Sequence, residues 1–200
     1  MPVLGITGGI ATGKTFFTGC LAGHFPALRV FDADAWARQL TSSDPAILTA
    51  IREAFGSSVF DDNGRLQRPA LRSIVFADPD KRKALEAILH PAIRRAWLDL
   101  ARTVREQDGN SWLAVDIPLL FETSAESHFD KIIVVACSAQ TQMSRLMDTR
   151  HITPAMAESM IASQLPLPAK IGRADFVVWN DGAREALDSQ ARLLALHLFS

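Results

Sequence analysis

Gly8-Gly9-Ile10-Ala11-Thr12-Gly13-Lys14-Thr15 follows the apolar run Val3-Leu4-Gly5-Ile6 and leads into the helix-competent stretch Phe16 to Phe25. A glycine, four residues and then Gly-Lys-Thr, set between a strand and a helix, is the pattern of a phosphate-binding loop in the context it requires. Gly8 and Gly13 permit a tight turn, so that successive N–H groups, from Gly9, Ile10, Ala11 and Thr12 onward, face phosphate oxygens beside a helix N-terminus, where the helix dipole also favours an anion. Lys14 is placed to reach the outer phosphates of a nucleotide, and the Thr15 hydroxyl to hold Mg²⁺.

Working outward, four further runs rich in β-branched or aromatic residues read as buried strands: Leu28 to Phe31, Trp112 to Ile117, Lys131 to Ala136 and Phe176 to Trp179. Helix-like stretches separate them. Strands alternating with helices predict an α/β fold, a five-stranded parallel sheet flanked by helices, with the ligand outside the carboxyl ends of the strands. Chemistry is therefore expected just after each strand.

The bulk composition narrows the partners. The 200 residues suffice for one domain with a good core and one or two inserted subdomains. With 21 basic against 22 acidic side chains, a net charge of −1 gives no general attraction to nucleic acid or to an anionic membrane surface. No apolar run is long enough to span a bilayer and no leader-like segment precedes the first strand, which together point to the cytoplasm. Cys20 and Cys137 stand far apart without metal-ligand spacing, as reduced core thiols do.

After the second strand, Asp32-Ala33-Asp34 puts two carboxylates at the expected ligand edge. While the chain stays extended they share a side, where one could accept a proton from an attacking hydroxyl and the other support it. Alternatively, one of them caps the following helix. Asp44-Pro45 opens another helix that Gly56 stops, and Asp61-Asp62-Asn63-Gly64 is a polar turn without calcium-loop spacing. From Arg65 to Asp108 no strand-like run occurs and basic residues are frequent, which predicts a helical insertion. Its charge is either a solvated helix face or a surface for an anionic acceptor. Within it, Leu89-His90-Pro91 sets a histidine before a proline in a helical context, a locally costly arrangement. The third strand ends in Asp116, either a carboxylate that orients Mg²⁺ or a turn acid. Ser138 to Arg150 and Thr153-Pro154 to about Leu165, closed by Pro166 and Pro168, form a helical hairpin that carries Arg145 and resembles a lid over the phosphates.

Taken together, these residues resemble the dephospho-coenzyme A kinase family. The likeness covers nearly the whole chain: Thr7-Gly8-Gly9-Ile10 ahead of Gly13-Lys14-Thr15, Asp32-Ala33-Asp34 with Ala37-Arg38, Leu66-Gln67-Arg68, Leu89-His90-Pro91, Asp116 to Glu122, then Gln164, Lys170, Ala174-Asp175 and Asn180-x-Gly182. The resemblance implies transfer of the ATP γ-phosphoryl group to the ribose 3′-hydroxyl of dephospho-coenzyme A, with Mg²⁺; no protein partner is implied. It further implies Asp34 as general base supported by Asp32, Arg68 and His90 near the acceptor, Arg145 in the lid, and Asn180 to Gly182 at the adenine end of ATP. Asp34 and Asp116 would also contact substrate. The organisation it implies is a P-loop kinase core over 1–60, 110–138 and 171–200, a helical acceptor insertion over 61–109 and a helical lid over 139–170. Two departures stand out. Ala11 and Thr12 occupy positions where the family commonly has Gly and Ser, a change expected to stiffen the loop slightly. Thr149 stands where an arginine is usual, with Arg150 one residue and about 100° further round the helix. Other small-molecule kinases share the loop and sheet. A guanine-specific switch would carry Asn-Lys-x-Asp, which is missing from this sequence.

Overall fold

The structure, a computed structural model, describes residues 2–107 and 111–199. Five strands form one sheet: β1 (Val3–Gly8), β2 (Leu28–Asp32), β3 (Trp112–Asp116), β4 (Lys131–Ala136) and β5 (Phe176–Trp179), in the spatial order β2-β3-β1-β4-β5. The sheet is parallel, with Ile6 opposite Asp116, and Thr7 and Gly8 opposite Val134 and Val135. All six residues of β1 are buried, and β4 is buried after Lys131. Both faces of these central strands are covered, which is why their sequence reads as continuous apolar runs instead of alternating.

The order of the strands positions the site. From β1 the chain crosses to β2 on one side of the sheet, and after β3 it passes to β4 on the other, so the connections reverse direction around β1. Such a switch point opens a crevice at the carboxyl ends of the central strands, where β1 gives way to the glycine loop and α1 (Lys14–His24).

Of the described residues, those up to Phe31 and from Thr103 onward make one compact unit, and Asp32–Arg102 make another. In the first, Leu4, Ile6, Phe17, Leu21, Ile133, Val135 and Leu187 form a core that joins α1 and α9 (Arg184–Phe199) to one face of the sheet. Leu120, Phe121, Ile132 and Val134 form a second cluster, joined by Leu167 and Ile171 of α8 (Leu167–Ile171). The outer edge of β5 is protected at Trp179, whose N–H donates to Gln190 Oε1 and whose carbonyl accepts from Gln190 Nε2.

The other unit consists of α2 (Ala33–Ser43), α3 (Pro45–Phe55), α4 (Arg68–Ala77) and the greater part of α5 (Pro79–Gln107) around Leu40, Ile47, Ile51, Phe55, Val59 and Leu71. Asp44 joins two of these helices: its N–H donates to Leu40 O at the end of α2, and its carboxylate accepts from Ala46 and Ile47 N–H at the start of α3. The expected cap-and-proline start is therefore present. Helix α5 continues through Pro91.

Several local readings need correction. Helix begins at Ala33, so Asp32 and Asp34 are not alternating residues of an extended strand. Asp32 takes the capping role, its Oδ1 accepting from Ala35 N–H at 2.8 Å, while Asp34 is exposed in the first turn of α2. Pro166 and Pro168 do more than end a helix: α7 (Pro154–Ala162) is already finished, and the two prolines open α8. The helical unit starts at Asp32, before the 61 expected, because α2 and α3 share its core. The expected insertion end at 109 and core restart at 110 lie outside the described residues.

Candidate active site

The glycine loop is shaped by two left-handed residues, Ala11 at φ 61° and Gly13 at φ 92°. At Gly13 no other residue fits well: a Cβ would lie 2.2 Å from Asn180 Nδ2. At Gly8 a Cβ would lie 2.4 Å from the Val135 carbonyl oxygen of the neighbouring strand. Ala11 carries a Cβ in a conformation that costs about 1 kcal/mol or more relative to glycine. The expected slight stiffening is thus a local strain.

Side-chain donors hold the loop's carbonyl oxygens. Thr12 Oγ1 donates to Gly9 O at 2.9 Å, Gln142 Nε2 to Ile10 O at 2.7 Å and Asn180 Nδ2 to Thr12 O at 2.8 Å. Arg145 Nη2 donates to Asn180 O at 2.9 Å, and its Nη1 approaches Thr12 O at 3.5 Å. Lys170 Nζ donates to Gly8 O at 3.2 Å. With the carbonyls held this way, the peptide planes are fixed and so are the directions of their N–H groups. One of those, Ile10 N–H, donates to Gln164 Oε1 at 2.9 Å.

The Lys14 ammonium is ion-paired with Asp116, which is buried and also accepts from Thr18 Oγ1 at 3.1 Å. The strand-end position foreseen for Asp116 therefore brings it to the loop lysine. Thr15 is exposed in the first turn of α1. Asp181 accepts from Ser138 N–H at 2.8 Å and from Trp179 Nε1 at 2.9 Å. The Ser138 hydrogen bond comes first among the contacts that hold its carboxyl below the usual range. These bonds fix the turn in which Asn180 is buried and Gly182 exposed. Helix α6 (Ala139–Arg150) carries Arg145 inward, and Thr149 Oγ1 bonds back to Arg145 O.

The remaining predicted residues belong to the other unit. Arg68 Nη2 donates to Arg38 O and to Ser42 Oγ at 2.6 Å, so its guanidinium holds the C-terminal end of α2. It borders a groove of about 640 Å³, lined also by Thr41, Leu48, Arg65 and Gln67. His90 is half-buried in α5, where burial lowers the pKa of its imidazole below the ordinary 6.5. Glu86 opposes that shift and Arg94 adds to it.

The donor set can be tested against Mg²⁺. A hydroxyl and a carboxylate are hard oxygen ligands of the type the ion takes alongside water and substrate phosphates, and no cluster of three or more acidic, His or Cys side chains occurs among the described residues. Thr15 and Asp116 fit an ion that arrives with a nucleotide better than one held in a protein cage.

Sequence reasoning passed over Lys170, Gln142 and Glu122 as functional residues. Of these, Lys170 and Glu122 stood only within motifs shared with the resembled family. Their partners lie far away along the chain, 162 residues for Lys170 and Gly8 and 132 for Gln142 and Ile10.

A family model described as dephospho-CoA kinase matches residues 2–185. A protein of Anaeromyxobacter dehalogenans, named dephospho-CoA kinase, is 43% identical over 196 residues, covering 98% of this chain and 92% of its own. Among solved structures, TT1252 from Thermus thermophilus superposes with a TM-score of 0.79 at 29% identity, covering 100% of this chain and 98% of the other. Dephospho-CoA kinase from Campylobacter jejuni has a TM-score of 0.71 at 24% identity over 98% and 96% of the two chains, a likeness of fold.

Proposed function

This chain belongs to the dephospho-CoA kinase family, and on that premise we propose that it transfers the γ-phosphoryl group of ATP to the ribose 3′-hydroxyl of dephospho-CoA, giving CoA and ADP. The observation that carries this reading is the glycine loop at the sheet's switch point, with its carbonyls bonded outward and its lysine paired to the strand-end Asp116. Phosphoryl transfer asks for little covalent work by the protein; it depends on positioning and on spreading the charge of the transferring group. Lys14 and the loop N–H groups other than those of Ile10 and Thr12, which donate to Gln164 Oε1 and Gly9 O, supply donors toward the phosphates. Arg145, anchored on Asn180 and the loop, adds positive charge on the same side. Bound with the nucleotide through Thr15 and Asp116, Mg²⁺ would neutralise phosphate charge.

For the acceptor, Asp34 is assigned as the general base. Its exposed carboxylate at the start of α2 has no described hydrogen-bond role in the fold, unlike Asp32, which caps the helix. Asp32 thereby supports the base through the backbone it fixes. Arg68 and His90 are assigned to the acceptor side, and the Asn180 to Gly182 turn to the adenine end of ATP. The protein is assigned to the cytoplasm; no helix among the described residues is long and apolar enough to cross a membrane.

The test is an acceptor competition with ATP and Mg²⁺, offering dephospho-CoA, adenosine, nucleoside monophosphates and shikimate together. Transfer to dephospho-CoA alone is expected. Preferential transfer to another acceptor would overturn the proposal while leaving the loop's role intact.

A further inference from the structure

Among the described residues, one lysine is completely buried. Lys170, in the five-residue helix α8, is 0% exposed, and a buried ammonium needs full compensation to be tolerated. Its Nζ donates to Gly8 O at 3.2 Å and to Pro118 O at 3.1 Å, and it is ion-paired with Glu122 Oε1 at 2.8 Å. Three acceptors for three N–H bonds satisfy the group. An apolar side chain of similar volume would avoid the desolvation cost altogether, so stability alone gives weak reason for a charge here.

The acceptors indicate what the charge does. Gly8 is the last residue of β1 and the first of the phosphate-binding loop. Pro118 lies two residues beyond Asp116, the partner of Lys14, and its carbonyl also accepts from Thr7 Oγ1 at 3.1 Å. The ammonium therefore ties the start of the loop to the segment that carries the Lys14 partner. Glu122 completes the bridge: the same Oε1 accepts from Leu165 N–H at 2.9 Å, next to Gln164, whose own Oε1 receives the Ile10 N–H.

We propose that Lys170, with Glu122 as its counter-charge, is a positioning residue for nucleotide binding. It sets the Gly8 peptide and the β3 exit in register, so that the loop N–H groups and the Lys14–Asp116 pair converge on one phosphate chain. This rests on the proposed function for the nucleotide alone and is independent of which acceptor is phosphorylated. Lys170 touches no substrate. Its loss acts through Gly8, whose displacement is felt in ATP binding and in kcat, because a misplacement of about 1 Å costs up to about 100-fold. The acceptor's KM is left unchanged.

The experiment measures equilibrium binding of a fluorescent ATP analogue, then KM for ATP, KM for dephospho-CoA and kcat, in the wild type, Lys170→Met and Glu122→Gln. Lys170→Met is expected to weaken nucleotide binding about tenfold or more, by loss of charged hydrogen bonds to the loop. Glu122→Gln keeps an acceptor oxygen for both Leu165 and Lys170 and is expected to weaken it about threefold, the smaller effect of a lost counter-charge. If Lys170→Met fails to fold, Glu122→Gln alone decides. A folded variant that melts earlier yet keeps wild-type nucleotide affinity and kcat per active enzyme would overturn the positioning role and leave a purely structural one. An unchanged Glu122→Gln would do the same. Failure of the wild type to bind the analogue would instead strike at the proposed function.

Discussion

Gly13→Ala puts the geometry of the loop to a quantitative test. Gly13 holds φ 92°, and a Cβ there would stand 2.2 Å from Asn180 Nδ2, so the amide must move. Holding an alanine in the left-handed region costs about 1–2 kcal/mol. Displacing Asn180 breaks its 2.8 Å bond to Thr12 O, a net loss of about 1 kcal/mol. The carbonyl is not orphaned, since Arg145 Nη1 also approaches it. The sum is about 2–3 kcal/mol, or a fall in Tm of about 5–10 °C for a chain of this size. The matched control is Gly19→Ala, inside the helix that Gly13 caps, with nothing within 4 Å of its Cβ position. There the substitution removes backbone freedom from the unfolded chain and is expected to stabilise by about 0.5–1 kcal/mol. Thermal melts without nucleotide, followed by binding of the ATP analogue, give both readouts. Gly13→Ala should melt earlier and bind ATP at least about tenfold more weakly; Gly19→Ala should melt later and bind normally. Equal melting temperatures for the two variants would refute the reasoning, because it assigns them opposite signs.

Three further outcomes are expected. Asp34→Asn should fold normally, since Asp34 is exposed, and lower kcat by about 100-fold or more with ATP binding unchanged; wild-type turnover would remove it as the base. Lys14→Ala should lower kcat by at least about 100-fold by deleting a donor to the phosphates, and equal kcat in an initial-rate assay would contradict that role. His90 makes stability depend on pH. Because its folded pKa lies below the ordinary 6.5, the unfolded chain binds the proton more readily, so His90 favours the fold fully above about pH 6.5 and this contribution is lost as pH falls below it. Urea titrations between about pH 7 and pH 5 should show a shallower decline for His90→Gln than for the wild type, and identical slopes would exclude the effect.

How much of this was legible in the sequence depended on whether each signal was local. The buried strands announced themselves because a parallel sheet covered on both faces needs uninterrupted apolar residues, as in Ile132-Ile133-Val134-Val135-Ala136. The loop was legible because its glycines answer to backbone sterics. Asp32-Ala33-Asp34 was ambiguous for a physical reason: the same tripeptide serves as alternating acids at a strand end or as a cap and first turn, and only the start of α2 at Ala33 decides. Ala11 showed as a departure, but the sign of its φ depends on the rest of the loop. The boundary of the helical unit was misplaced because Leu40, Ile47 and Ile51 carry the amphipathic pattern of any helix, and nothing local says which core they join. Lys170 lies at the far end of that scale. A lysine in Leu167-Pro168-Ala169-Lys170-Ile171 reads as a solvated side chain, and its burial follows from partners at Gly8, Pro118 and Glu122 that sequence spacing does not bring together.

The most direct measurement of the central claim is incubation of the protein with ATP, Mg²⁺ and dephospho-CoA, with the product examined by mass spectrometry and phosphorus NMR. The account predicts one added phosphoryl group, carried as a monoester on the ribose 3′-oxygen, with one ADP formed per product. A product phosphorylated elsewhere, or ADP formed without any phosphorylated acceptor, would contradict it.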